Sequence, residues 1–99
     1  CWNTYYVSPD ADTLAHALLL NPNGGAALVA GSSTLTSSGN DMLMSVHLAA
    51  HVDDGDLTIG EAVVLAKQDV ARQAGGSTVD VQMGWTILGD PAVVAGGAA

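Results

Sequence analysis

The sequence has very few basic residues and a single cysteine. Lys67 and Arg72 stand against ten aspartates and glutamates, which gives the 99-residue chain a formal net charge of −8. A chain without a basic patch cannot neutralise a row of phosphates, so nucleic acid and anionic membranes are poor partners. The lone cysteine, Cys1, excludes an internal disulfide and a cysteine-rich zinc site. No apolar run approaches the roughly 20 residues that cross a bilayer, so no membrane span is expected.

Large aromatic side chains are also scarce. The chain has two tryptophans, two tyrosines and no phenylalanine, and its 48% of hydrophobic residues are mostly alanine, valine and leucine. A chain of this length forms one domain at most, and a core built from these side chains is thin. We therefore predict part of one larger domain over residues 1–95, followed by a tail or linker over residues 96–99.

Three segments have the apolar spacing of helices. Turn and N-cap residues precede a helix predicted over residues 12–20, and a second helix is predicted over residues 40–52. Thr58 and Glu61 stand three apart as a capping box, so the third and clearest helix is predicted over residues 58–74. The second helix is expected to face the core with Met42, Val46, Ala49 and Ala50. The third is expected to bury Ile59, Ala62, Val63, Ala66 and Val70.

The apolar run GAALVAGS, bounded by glycines, predicts a fully buried strand over residues 26–30, of the kind found in parallel sheets. A helix, a tight turn and a buried strand form the second half of a β-α-β unit, so a first strand is expected to end just before Cys1. The loop GSSTLTSSGN leaves the carboxyl end of the predicted strand, where ligands bind in open α/β sheets. Residues 77–83 are interpreted as a loop and residues 84–88 as a short strand.

Several segments share their order and spacing with one known family. They are CWNTYY at the start, DTLAHALLL before NGGAALVAGSS, then LTIGEAVVLAK, and finally GWTILGDPAVV. Together they resemble the C-terminal part of the catalytic domain of gingipain-like cysteine peptidases, which belong to the caspase-like clan. The resemblance implies a three-layer α/β caspase-like fold, of which this chain is a C-terminal fragment with a short parallel sheet flanked by helices.

The resemblance also implies a role for Cys1, which falls on the nucleophile of a cysteine-type endopeptidase that acts on polypeptide substrates. A thiolate nucleophile needs partial exposure and nearby polarising donors. By the same resemblance, the substrate-binding residues are Trp2, Asn3, Ser32, Ser33 and Thr34. Thr36 lies in the same loop as the last three. The family's catalytic histidine precedes its cysteine, so this chain is expected to be inactive without the N-terminal half of its domain. No cofactor is implied, and relatives are commonly secreted or surface-attached.

Other interpretations stay open. The chain could belong to a degenerate caspase-like domain of the CHAT type, which acts as a protein-interaction or sorting module. A histidine-glycine pair ahead of Cys1 would favour the enzyme over this module. From composition alone, Cys1 could be a small buried hydrophobic residue. A self-standing small α/β domain is a further possibility, which the shortage of large core side chains disfavours.

The histidines give weak signals. His16 is the nearest to Cys1 in the sequence, but its predicted helix runs away from the strand end, so a dyad of these two residues is not expected. His47 and His51 lie four apart on one helical face, a spacing that lets two imidazoles share a metal ion. Residues 48–50 between them lack the glutamate that a zinc peptidase uses as its base, so no metal site is predicted.

Overall fold

The computed structural model describes residues 1–7 and 12–94, which form a mixed arrangement of helices around a two-stranded sheet. In chain order the elements are α1 (Leu14–Leu19), β1 (Val29–Ser32), α2 (Ser38–Asp53), α3 (Ile59–Ala74), a 3-10 turn (Gly75–Thr78), α4 (Val79–Gly84) and β2 (Trp85–Leu88). The predicted tail and most of the turn predicted ahead of the first helix lie outside the described residues. No helix within the described ranges is long and apolar enough to cross a bilayer.

The sheet is antiparallel, so the predicted parallel pairing is wrong. β1 and β2 pair from Val29 opposite Leu88 to Ser32 opposite Trp85. The reason lies in where α4 ends: the main-chain N–H of Ser33 donates to the carbonyl of Gly84 at 2.8 Å. The chain therefore enters β2 at the carboxyl end of β1 and has to run back along it. An apolar run alone does not report the direction of its neighbour.

β1 also begins later and is less buried than predicted. The strand starts at Val29, and its first three residues are only partly buried. The preceding turn is longer because Gly24 and Gly25 both have positive φ, of 129° and 109°. The main-chain N–H of Ala26 donates to the carbonyl of Leu18 at 3.1 Å, which keeps residue 26 at the end of α1 rather than in the sheet. The short strand predicted over residues 84–88 is confirmed as β2.

α3 is the centre of the core, as its pattern predicts. Its capping box is present: the hydroxyl of Thr58 accepts from the N–H of Glu61 at 3.1 Å, and the Glu61 carboxylate accepts from the N–H of Thr58 at 3.3 Å. The apolar side chains of its inner face are all buried, namely Ile59, Ala62, Val63, Ala66 and Val70. Partly buried residues of the sheet and of α2 pack against this cluster, which also contains Met44 and Val81.

α2 faces the core with a different side from the one predicted. Met42, Val46, Ala49 and Ala50 are exposed, and Met44 is fully buried in their place. Apolar residues occur around most of this helix, so their spacing does not choose a face. Polar contacts with α3 favour the observed orientation, because His47 and His51 point toward it: their Nε2 atoms lie 2.8 Å from Gln73 Oε1 and 2.6 Å from Asp69 Oδ2.

The two histidines of α2 thus form side-chain hydrogen bonds with residues of α3. Asp69 also pairs with Arg72 one turn further along α3. The hydrogen bond from His51 is the main reason that the pKa of Asp69 lies below its ordinary value, and the bond from Arg72 acts in the same direction. Among the described residues, no group of three or more histidine, cysteine or acidic side chains could hold a metal ion.

The contacts of Asp69 with His51 and Arg72 predict that the packing of α2 against α3 is sensitive to acid. Because the folded-state pKa of Asp69 is lowered, its contribution to stability is present above the unfolded pKa of about 3.9. The contribution is lost as the pH falls further and the carboxylate is protonated in the folded chain. We expect Asp69→Asn to lower the midpoint of urea unfolding at pH 6, and the difference from the parent to shrink as the pH is lowered below about 4. Asp56→Asn, at an exposed turn residue, is the control. An unchanged difference across this range would contradict the prediction.

Residues 77–83, interpreted as a loop, instead form the end of the 3-10 turn and most of α4. Threonine, aspartate and nearby glycines favour turns, but Val81 is fully buried in the core and fixes this segment against α3. The hydroxyl of Thr78, also fully buried, donates to the carbonyl of Gly75 at 2.7 Å. Tertiary packing therefore decides the conformation here.

Candidate active site

The first four residues run alongside the loop that leaves β1. The N–H of Thr4 donates to the carbonyl of Ser32 at 3.0 Å, and the N–H of Trp2 donates to that of Thr34 at 3.1 Å. The first bond lies on the edge of β1 that faces away from β2, and the second continues along the loop after β1. Trp2 has a positive φ of 59°, an uncommon conformation for a residue with a side chain. The backbone thus turns sharply where Cys1 meets the loop.

Cys1 is exposed, and its thiol contacts the main chain of the Ser/Thr loop, residues 33–37 between β1 and α2. Its Sγ donates to the carbonyl of Thr36 at 2.7 Å and accepts from the N–H of the same residue at 3.3 Å. The hydroxyl of Thr36 lies 3.7 Å from Sγ. The alternative interpretation of Cys1 as a small buried hydrophobic residue is therefore wrong. The sulfur lies among polar groups at the carboxyl end of β1.

Asp41, in the first turn of α2, connects this loop to the start of β2. Its Oδ2 accepts a hydrogen bond from the hydroxyl of Thr36 at 2.8 Å, and its Oδ1 accepts one from the indole N–H of Trp85 at 3.0 Å. The main-chain nitrogen of Cys1 lies 3.8 Å from Oδ2. A single carboxylate thus joins three segments that are far apart in the sequence.

Asp80 of α4 holds the other end of the loop. Its carboxylate accepts the N–H of Ser37 at 2.9 Å and the side-chain amide of Asn40 at 2.8 Å. The main-chain N–H of Ser37 is the chief reason that the pKa of Asp80 lies below its ordinary value. The loop between β1 and α2 is therefore fixed at two points by two carboxylates.

A cavity of about 270 Å³ opens beside the thiol, between the first residues, α1 and β1. Cys1, Asn3 and Ser32 line it, together with Asp41 and Trp85. No histidine lines this cavity within the part of the chain that the structure describes. The space next to the sulfur is large enough for one side chain of a bound ligand.

The predicted substrate-binding residues divide into two groups. Asn3 and Ser32 line the cavity, whereas Trp2, Ser33 and Thr34 do not. The hydroxyl of Ser32 donates to the carbonyl of Thr34 and that of Ser33 to the carbonyl of Gly84, both at 2.8 Å. Both hydroxyls therefore donate to main-chain carbonyls and stabilise the conformation of the loop.

Asp41 and Trp85 belong to the site, although neither was predicted from the sequence. Asp41 follows the N-cap of α2, where an acidic residue is commonly explained by the helix dipole alone. Trp85 begins a strand, where an aromatic residue is commonly explained by packing. The one available signal is chemical: a partly buried indole N–H needs an acceptor, and Asp41 is an acidic residue near the loop.

An exposed thiol at a strand end, next to a polar loop and a cavity in a mixed α/β domain, is an arrangement suited to a cysteine hydrolase. A sequence model of the peptidase family C25 matches residues 1–95. The chain therefore belongs to peptidase family C25, the gingipain family of cysteine peptidases. Searches of curated proteins and of solved structures gave no match.

Proposed function

We propose that Cys1 is the nucleophile of a cysteine endopeptidase of the caspase-like, three-layer type. The observation that carries the proposal is the exposed Cys1 thiol, held against Thr36 at the carboxyl end of β1 in a chain of family C25. The thiolate would attack the carbonyl carbon of a peptide bond and form a thioester as the amine leaves with a proton. Water would then hydrolyse the thioester and release the thiol.

Substrate would bind along the first residues and the loop after β1. Asn3 and Ser32 reach the cavity beside the sulfur, which supports a contact with the side chain or main chain of a polypeptide. Trp2, Ser33 and Thr34 stand close to these wall residues in the sequence, so they would contact the chain that extends from the cavity. The main-chain N–H of Thr36, 3.3 Å from Sγ, is a ready donor for negative charge near the reacting atoms.

The general base would come from the N-terminal half of the same domain. His47 and His51 are engaged by residues of α3, which supports a structural role for both. The sheet has only two strands among the described residues, which is marginal for a stable sheet, and on the far edge of β1 the carbonyl of Ser32 accepts a hydrogen bond from the N–H of Thr4. The apolar side chains of Trp2, Leu14 and Leu18 are exposed on α1 and the first residues. A second half that packs there would cover them and bring a histidine to Cys1.

The second candidate function is a degenerate caspase-like domain of the CHAT type that binds or sorts proteins. A cavity wall that holds no histidine among the described residues is compatible with both candidates. Both candidates share a polypeptide partner. They differ in whether the thiol reacts with a bound peptide.

A peptidyl chloromethyl ketone distinguishes the two candidates, because it binds as a substrate does and then alkylates the catalytic cysteine. In a chain extended upstream by the proposed half-domain, we expect saturable labelling of Cys1 that is lost in Cys1→Ala. The 99-residue chain alone is expected to hydrolyse no peptide. Hydrolysis by this chain that disappears in Cys1→Ala would contradict the need for a second half. Peptide binding by the extended chain without labelling would favour the interaction module.

A further inference from the structure

The hydroxyl of Thr36 has one hydrogen and three acceptors within reach. Asp41 Oδ2 lies 2.8 Å away, Ser32 Oγ 3.1 Å and Cys1 Sγ 3.7 Å. The carboxylate is both the nearest acceptor and the charged one, and hydrogen bonds to ionised acceptors are the stronger ones. The hydrogen therefore points to Asp41, and the sulfur receives none from this hydroxyl.

The partners of Sγ then favour the protonated thiol. The carbonyl of Thr36, at 2.7 Å, accepts the S–H and offers nothing to a thiolate. The N–H of the same residue, at 3.3 Å, is the longer contact. Among the described residues, the charged side chain that contacts this network is the carboxylate of Asp41.

We propose that Asp41 is a positioning residue for Cys1, which keeps the resting thiol protonated and directed at the carbonyl of Thr36. It does so by holding the Thr36 hydroxyl hydrogen away from the sulfur and by placing a negative charge nearby. Trp85 fixes the orientation of the carboxylate by donating to its other oxygen at 3.0 Å. The proposal rests on the proposed function only in taking Cys1 as the nucleophile, and its test measures no peptidase activity.

Replacing Asp41 by asparagine reverses the direction of the Thr36 hydroxyl. The indole N–H of Trp85 can only donate, so the amide oxygen of the new side chain has to face Trp85. Its NH₂ group then faces Thr36, whose hydroxyl has to accept and becomes free to donate to Ser32 or Cys1. The negative charge is lost as well. Both changes favour the thiolate.

The experiment is the pH dependence of Cys1 alkylation by iodoacetamide, followed by mass spectrometry on the 99-residue chain. For Asp41→Asn we expect the midpoint, the pH at which the alkylation rate is half its value at high pH, to fall by about half a pH unit to one unit. The rate at high pH itself is expected to stay unchanged. Below the midpoint this corresponds to alkylation that is about three- to tenfold faster. A merely loosened loop would raise the rate at every pH and leave the midpoint in place.

Three variants serve as controls. Asp80→Asn removes the other carboxylate that holds the loop but leaves Thr36 and its contacts, so its midpoint is expected to match the parent. Asp41→Glu keeps the charge and is expected to stay close to the parent. Thr36→Val removes a hydroxyl that gives the sulfur no hydrogen, so the midpoint is again expected to stay in place.

Several outcomes would overturn the proposal. They are an unchanged midpoint in Asp41→Asn, an equal shift in Asp80→Asn, and a higher rate at every pH without a shift. If Asp41→Asn does not fold by circular dichroism, Thr36→Val decides. A rise of its midpoint would mean that the hydroxyl already stabilises the thiolate, contrary to the proposal. Failure of the peptide ketone to label the extended chain would instead count against the proposed function alone.

Discussion

Replacing Cys1 by alanine in a chain extended upstream by the proposed half-domain is expected to lower kcat/KM for peptide hydrolysis by about 10⁴-fold or more. The variant keeps the cavity and the loop but lacks the atom that forms the covalent intermediate, and no other thiol is present in this chain to replace it. The measurement is the cleavage of a set of fluorogenic peptides by the chain extended upstream with its proposed N-terminal half.

Two further variants make this result specific to the sulfur. Cys1→Ser keeps the size of the side chain and most of its contacts with Thr36, so a loss of similar order points to the chemistry of the thiol rather than to its packing. Asp56→Asn changes an exposed turn residue and is expected to keep activity within about twofold, as surface substitutions usually do. Hydrolysis that survives Cys1→Ala would exclude Cys1 as the nucleophile.

The helices that the sequence predicts best are those whose signals are local. α3 has a capping box at its first turn and an apolar stripe on one face, and both are contained within its own 16 residues. Its buried residues were therefore predictable one by one. α2 has a good N-cap at Ser37 but no preferred apolar face, so its bounds were nearly right and its orientation was wrong. Contacts from α3 to His47 and His51 supply the missing information.

The direction of the sheet was not predictable for a different reason. Whether β1 pairs with a parallel or an antiparallel neighbour depends on where the chain returns after three helices. That return is fixed by the contact of Ser33 with Gly84, 51 residues further along. No pattern inside an apolar run of a few residues reports a contact at that distance.

The candidate site was predictable in part. The resemblance of CWNTYY and NGGAALVAGSS to one family predicted that Cys1 and the Ser/Thr loop lie at the same edge of a sheet, and in the structure the thiol contacts Thr36 of that loop. Asp41 and Trp85 were not predictable in the same way, because they meet across 44 positions of the sequence. Polar residues that connect segments in this way have no periodicity of their own.

Gly89→Ala is expected to be among the most destabilising single substitutions in the chain. Gly89 follows β2 with a φ of 125°, which residues with a side chain rarely adopt. A methyl group at this position would lie 2.6 Å from Cβ of Leu28 and 2.9 Å from its Cα. The backbone just before β1 cannot move aside without disturbing the sheet, so we expect a loss of about 3 kcal/mol or more in the free energy of unfolding.

Substitutions of two other glycines distinguish backbone strain from steric clash as causes of this loss. Gly24 also has a positive φ, of 129°, but a methyl group there meets no atom within 4 Å, so Gly24→Ala should show the backbone strain alone, about 1–2 kcal/mol. Gly76 has neither strain nor a close neighbour, and Gly76→Ala should change stability by no more than about 1 kcal/mol. Urea unfolding followed by circular dichroism measures all three. If Gly89→Ala lowers the free energy of unfolding no more than Gly24→Ala does, a side chain at position 89 does not clash with Leu28. The two strands would then lie further apart at that end than the antiparallel register requires.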